Sequence, residues 1–80
     1  MVVIRLFAAA RAAAGRSEVM VPAGPIRDVV AGLLADAPSR LAQVVAVSSL
    51  VSDGVRLDPD SAAALPDGAV LDVLPPFAGG

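Results

Sequence analysis

The sequence predicts an α+β domain, in which a mixed sheet of four to five strands packs on one main helix. Three observations carry this. Apolar, β-branched runs stand near both ends, at 2–7 and 69–74. One long amphipathic stripe lies between them, in "GPIRDVVAGLLADAP". Asp-Gly separates two short apolar runs at 48–57. One striped helix among several strands has a single sheet face to cover, which defines the class. Eighty residues make one domain, near the size where a core is only just sufficient. The hydrophobic content of 56% is enough to pack that core and excludes a disordered chain.

"VVIRLF" (2–7) reads as a buried strand because β-branched and apolar residues dominate it. "AAARAAAG" follows: seven strong helix formers closed by Gly15, which suits the left-handed position after a helix. A helix so short is held by packing and not by propensity. "EVMV" (18–21) is a second strand, ended by Pro22. Pro25 suits the first position of the main helix and Pro38 stops it. Ile26, Val29, Val30, Leu33 and Leu34 fall at i, i+3, i+4, i+7 and i+8, one apolar stripe, with Asp28 where the helix dipole favours an anion. "SRLAQVVA" offers a short helix with Ser39 as its N-cap. "SSLVSDGVRL" (48–57) is a hairpin around Asp-Gly. "DPDSAAALPDG" is a turn-rich connection with one helical turn at 62–64, and "AVLDVL" (69–74) is the last strand.

Alternation orients the two end strands. Val2, Ile4 and Leu6 share one face and Val3, Arg5 and Phe7 the other; Leu71 and Val73 oppose Val70, Asp72 and Leu74. Charges mark the solvent side, because Arg and Asp are rarely buried unpaired. Phe7 and Leu74 therefore belong to the outer face, and Arg5 and Asp72 can pair across it if the strands are neighbours.

Composition narrows the chemistry. The chain contains no His, Cys, Lys, Tyr or Trp, which removes the usual general base, thiolate nucleophile, Schiff-base amine and phenolic acid. Six serines remain without an imidazole to activate them. Four of the eight carboxylates lie beside Gly or Pro, where turns use them, and no calcium-loop motif is present. No metal site or permanently bound cofactor is expected. Net charge −2 argues against nucleic acid, which needs a basic surface. The longest uncharged stretch, "LAQVVAVSSLVS", is twelve residues and too short for a membrane span. Arg5 and Arg11 break any signal-peptide core, and a small domain without disulfides suits a reducing, cytoplasmic setting.

The final residues, "LPPFAGG", put a double proline and Phe77 ahead of Gly79-Gly80. Gly-Gly closes roughly half a per cent of chains by chance. The division expected is a body at 1–74 and an extended tail at 75–80.

"LFAAARAAAG" and "LPDGAVLDVLPPFAGG" together resemble the small, sulfur-carrying subunit of molybdopterin synthase (molybdopterin-converting factor subunit 1). The features that carry the resemblance are Phe7-Ala8 with Arg11 and Gly15, the Leu65-x-Asp67-Gly68 turn, and Pro75-Pro76-x-x-Gly79-Gly80. The resemblance implies a ubiquitin-like β-grasp fold and a mechanism centred on the Gly80 carboxylate. In that mechanism an E1-like activating enzyme adenylates Gly80 with ATP, and a sulfurtransferase supplies the sulfur of a thiocarboxylate. Pro75, Pro76, Phe77, Ala78 and Gly79 then enter the large synthase subunit, in a heterotetramer, where sulfur passes to a pterin precursor. Phe7 and Leu74 would contact that subunit, and the chain would donate sulfur without catalytic residues of its own. Ser52-Asp53-Gly54 and Arg56 depart from the family pattern. The alternatives are a sulfur carrier for cysteine, thiamine or tRNA thiolation, a ubiquitin-like protein modifier, and an interaction module with an inert tail.

Overall fold

The computed structural model of the chain describes residues 1–76; Phe77, Ala78, Gly79 and Gly80 lie outside the described residues. β1 (Val2–Leu6), β2 (Glu18–Val21), β4 (Ser49–Ser52), β5 (Val55–Leu57) and β7 (Val70–Leu74) form one sheet, ordered β2-β1-β7-β4-β5. β1 and β7 run parallel at its centre and the other neighbours are antiparallel. β3 (Gly24–Pro25) and β6 (Ala64–Leu65) make a separate two-residue pair. The helices are α1 (Ala8–Ala14), α2 (Ile26–Leu34) and α3 (Ser39–Ala46). Among the described residues, no helix is long and apolar enough to cross a membrane.

The core follows from alternation meeting the helical stripe. Val2, Ile4, Leu6, Val21, Leu50, Leu71 and Val73 from the sheet pack with Ile26, Val29 and Leu33 of α2. Val30 and Leu34 flank that cluster as the stripe predicts. The sequence predicts α2 as the main helix on the sheet, and α1 and α3 share the cover with it. Leu41 and Val45 of α3 and Ala10 of α1 are buried in the same cluster, and α1 packs against α3. One helix of nine residues is about 14 Å long, too little to cover five strands spaced about 4.8 Å apart. No polar or charged residue is buried among the described residues.

Helix starts differ from expectation in an instructive way. Pro25 is the cap of α2 and not its first residue, and neither α2 nor α3 has a side-chain cap; Pro38, with Ser39 already helical, begins α3. The first N–H groups of α2 are met by distant carbonyls instead: Ile26 N–H donates to Ala63 O at 2.9 Å and Arg27 N–H to Ser61 O at 3.2 Å. These are orphan donors that a helix must satisfy somehow. The same docking explains why 62–64 is not a helical turn: Ala64 and Leu65 pair with Pro25 and Gly24. Local side chains shape the loop, since Asp58 accepts from Asp60 N–H at 2.8 Å and Ser61 from Ala63 N–H at 3.0 Å.

The 48–57 hairpin forms as expected, with Asp53 and Gly54 both at positive φ (55° and 75°), a turn whose twist suits the strands. Gly15 closes α1 in the left-handed region (φ 74°), where its N–H donates to Arg11 O at 2.9 Å. A Cβ there would touch nothing within 4 Å, so Gly15→Ala bears only the backbone penalty. It should lower stability by about 1–2 kcal/mol, with Gly15→Asn losing less, in chemical denaturation. Leu41→Ala, at a site 2% exposed, should cost about 2–5 kcal/mol; a loss near zero would remove α3 from the core.

Candidate docking face and the base of the C-terminal stalk

The face of the sheet turned away from the helices carries three rows of side chains. The parallel register sets Arg5 beside Asp72 and Val3 beside Val70, and it ends at Leu6 beside Val73. One further step puts Phe7 next to Leu74. The antiparallel partners extend the rows, with Glu18 beside Arg5, Met20 beside Val3, Val51 beside Asp72, Arg56 beside Val51 and Ser49 beside Leu74.

The middle row is charged. Arg5 donates from Nε and Nη2 to the two carboxylate oxygens of Asp72, at 2.6 and 2.8 Å, the forked geometry that matches guanidinium to carboxylate. Asp72 raises the pKa of Arg5 above its ordinary value, first through this hydrogen bond and then through its charge, with Glu18 adding a smaller push. The guanidinium, like any arginine's, is charged throughout the physiological range with or without this shift. It also lies 5.7 Å from the centre of the Phe7 ring, within cation–π reach. The ion pair therefore positions Phe7 as well as screening the middle of the sheet.

The flanking rows are apolar. On one side stand Met20, Val3 and Val70; on the other stand Phe7 (39% exposed) and Leu74 (38%). Phe7 is projected there by a sharp turn, since Ala8 takes a positive φ of 49° and α1 begins at once. Two apolar rows around an ion pair make a face suited to burial by another protein.

Leu74 is also the last residue of a central strand, so the chain leaves the body from the middle of the sheet. Pro75 is buried, continuing the inward series of Leu71 and Val73, and Pro76 is exposed. The expected tail residues Phe77, Ala78, Gly79 and Gly80 lie outside the described residues. Arg11 is exposed on α1, away from the sheet's outer face. Among the described residues, no group of three or more His, Cys, Asp or Glu side chains is placed to hold a metal.

Phe7 and Leu74, chosen from alternation, thus lie together at one end of the face. Val3 and Val70, set on this face by the same alternation, extend it; Met20 and Arg56 complete it and were not selected from the sequence. Their signal was the register of strands far apart in the chain, which periodicity does not carry.

No family model and no curated protein sequence matches the chain. Solved structures do. The chain is similar to SAMP1 from Haloferax volcanii, at 21% identity and TM-score 0.79, over 99% of this chain and 98% of that one. The HVO 2177 protein of Haloferax volcanii, known from a solution structure, is 27% identical with TM-score 0.72, over 99% and 85%. A chain of the complex between subunits 1 and 2 of molybdopterin-converting factor from Helicobacter pylori 26695 is 23% identical with TM-score 0.70, over 99% and 97%. With its mixed five-stranded sheet and the helices packed on one side of it, the chain has the ubiquitin-like β-grasp fold.

Proposed function

We propose that this chain is a ubiquitin-like carrier of the sulfur-carrier and protein-modifier class, and that its working group is the carboxylate of Gly80. The observation that carries the reading is the exit of the chain: a central strand ends at Leu74, beside exposed Phe7, and leads through Pro75 and Pro76 to Gly79-Gly80. A docking face at the root of a narrow, side-chain-free end lets a partner hold the body while the terminus enters its active site. The likeness to SAMP1 and to a chain of the molybdopterin-converting factor complex supports the same class.

The chemistry is dictated by what a carboxylate lacks. It is a poor electrophile and must be activated by a partner enzyme. One carboxylate oxygen attacks the α-phosphorus of ATP and pyrophosphate leaves, giving an acyl adenylate. A sulfur nucleophile then displaces AMP to form a thiocarboxylate, or an amine displaces it to form an amide. Prolines at the base reduce the entropy lost when the tail is threaded.

Within this class two fates are open to Gly80. Attachment to lysines of target proteins would make the chain a protein modifier. Delivery of sulfur to a pterin precursor would make it the donor subunit of a molybdopterin synthase, with ATP consumed by the activating enzyme and a sulfurtransferase upstream. The second reading is favoured by Pro75-Pro76-x-x-Gly79-Gly80 together with the Phe7-Ala8 box. On either fate the partners are an adenylating enzyme and a protein that covers Phe7 and Leu74, and the setting is cytoplasmic.

Co-expression with the cognate activating enzyme and a sulfur source should produce an oxygen-to-sulfur mass shift at Gly80, or Gly80 remnants on target lysines in digests. Seeing neither sinks the carrier reading, and which of the two appears decides the fate. Deletion of Gly80 should abolish both products while leaving the thermal transition unchanged. Phe7→Asp should weaken docking to the adenylating enzyme more than tenfold, a loss of about 1.4 kcal/mol, with less than about 1 kcal/mol change in folding stability. Collapse of the domain instead would place Phe7 in the core.

A further inference from the structure

We propose that the outer face of the sheet also docks a second copy of this chain, about a two-fold axis running parallel to β1 and β7 and midway between them. This goes beyond the carrier reading and does not depend on the chemistry of Gly80.

The occupant is chosen by charge. Across the middle row the side chains run Glu18, Arg5, Asp72, Val51, Arg56, so the signs alternate over the first three positions and positive charge returns at the far edge. Sheets that pack face to face keep their strands nearly aligned, which leaves two symmetric ways to lay this face on its own copy. An axis running across the strands sets Arg5 over Arg5 and Asp72 over Asp72, and like charges in apposition cost several kcal/mol. An axis along the strands exchanges β1 for β7. It sets Arg5 over Asp72 of the second copy and Asp72 over its Arg5, closing a square of four alternating charges.

The same operation matches the apolar rows. Phe7 falls over Leu74 of the second copy and half-buried Val3 over its exposed Val70, so apolar side chains meet apolar partners at both ends of the square. Glu18 falls over Val51 of the second copy, offset sideways by one strand spacing, about 4.8 Å, from the position over its Arg56. The forked Arg5–Asp72 pair is already formed within each chain, so little side-chain freedom is lost on association. Covering four charges offsets part of the apolar gain, which makes the dimer weak and sensitive to salt. Because Phe7 and Leu74 are hidden in it, self-association and docking to a partner protein exclude one another.

Sedimentation velocity of the purified 80-residue chain, from micromolar to millimolar concentration, tests the proposal. The wild type should shift from monomer to dimer, with association weakened about tenfold between roughly 0.05 and 0.5 M NaCl as the Debye length shrinks. Arg5→Asp and Asp72→Arg, each alone, should lose association at least about tenfold, because like charges then face each other. Mixing the two variants should restore it, since an acidic pair then meets a basic pair. A wild type that stays monomeric throughout, or a mixture of folded variants that does not associate, overturns the proposal. Amide chemical shifts of the wild type, followed on dilution, give a second reading that needs no variant. Changes centred on residues 3–7 and 70–74 support docking through this face, the charge-swapped mixture then fixing the axis, and changes centred on α2 and α3 overturn it.

Discussion

The parallel pairing of β1 with β7 is the constraint on which the rest of this molecule depends. It joins the first strand to the last, so every other element belongs to the connection between them. A parallel connection needs a crossover, and here the crossover is most of the chain: α2 and α3 lie on one face, with β4 and β5 filling the sheet beyond β7. The pair also builds the outer face. It brings Arg5 to Asp72, and it sets Phe7 beside Leu74 although they are separated by nearly the whole sequence. Without that register neither the ion pair nor the apolar rows around it would exist.

How much of this was legible depended on whether a signal was local. The two end strands could be oriented because each carries one charge, Arg5 or Asp72, in an otherwise apolar alternation. The five-position stripe of α2 and the Asp53-Gly54 hairpin were legible for the same reason. α3 was harder to weigh as core, since only Leu41 and Val45 are buried, one i, i+4 step and no sustained stripe. The start of α2 was illegible, because its hydrogen-bond partners are the carbonyls of Ser61 and Ala63, far along the chain. The alanines at 62–64 have strong helix propensity, and pairing of Ala64 and Leu65 with β3 overrode it.

The candidate site divides along the same line. Phe7 and Leu74 could be found by alternation, whereas the row of Glu18, Arg5, Asp72 and Arg56 exists only through pairing across all five strands. In the carrier reading proposed above, the body would contribute shape and charge, from a sequence that lacks His, Cys, Lys and Tyr. On the outer face one arginine meets two neighbours: it pairs with Asp72 and lies within cation–π reach of the ring of Phe7.

The docking of the 58–65 loop onto the first turn of α2 has a consequence for motion. Ile26 and Arg27 have their amide protons held by that loop and not by their own helix. The loop cannot lift away without exposing these amides to solvent exchange, and α2 cannot fray at its start without releasing the loop. Two segments more than thirty residues apart in the chain therefore open as one cooperative unit. A tug on the strand that follows the loop would be felt first at the beginning of the main helix.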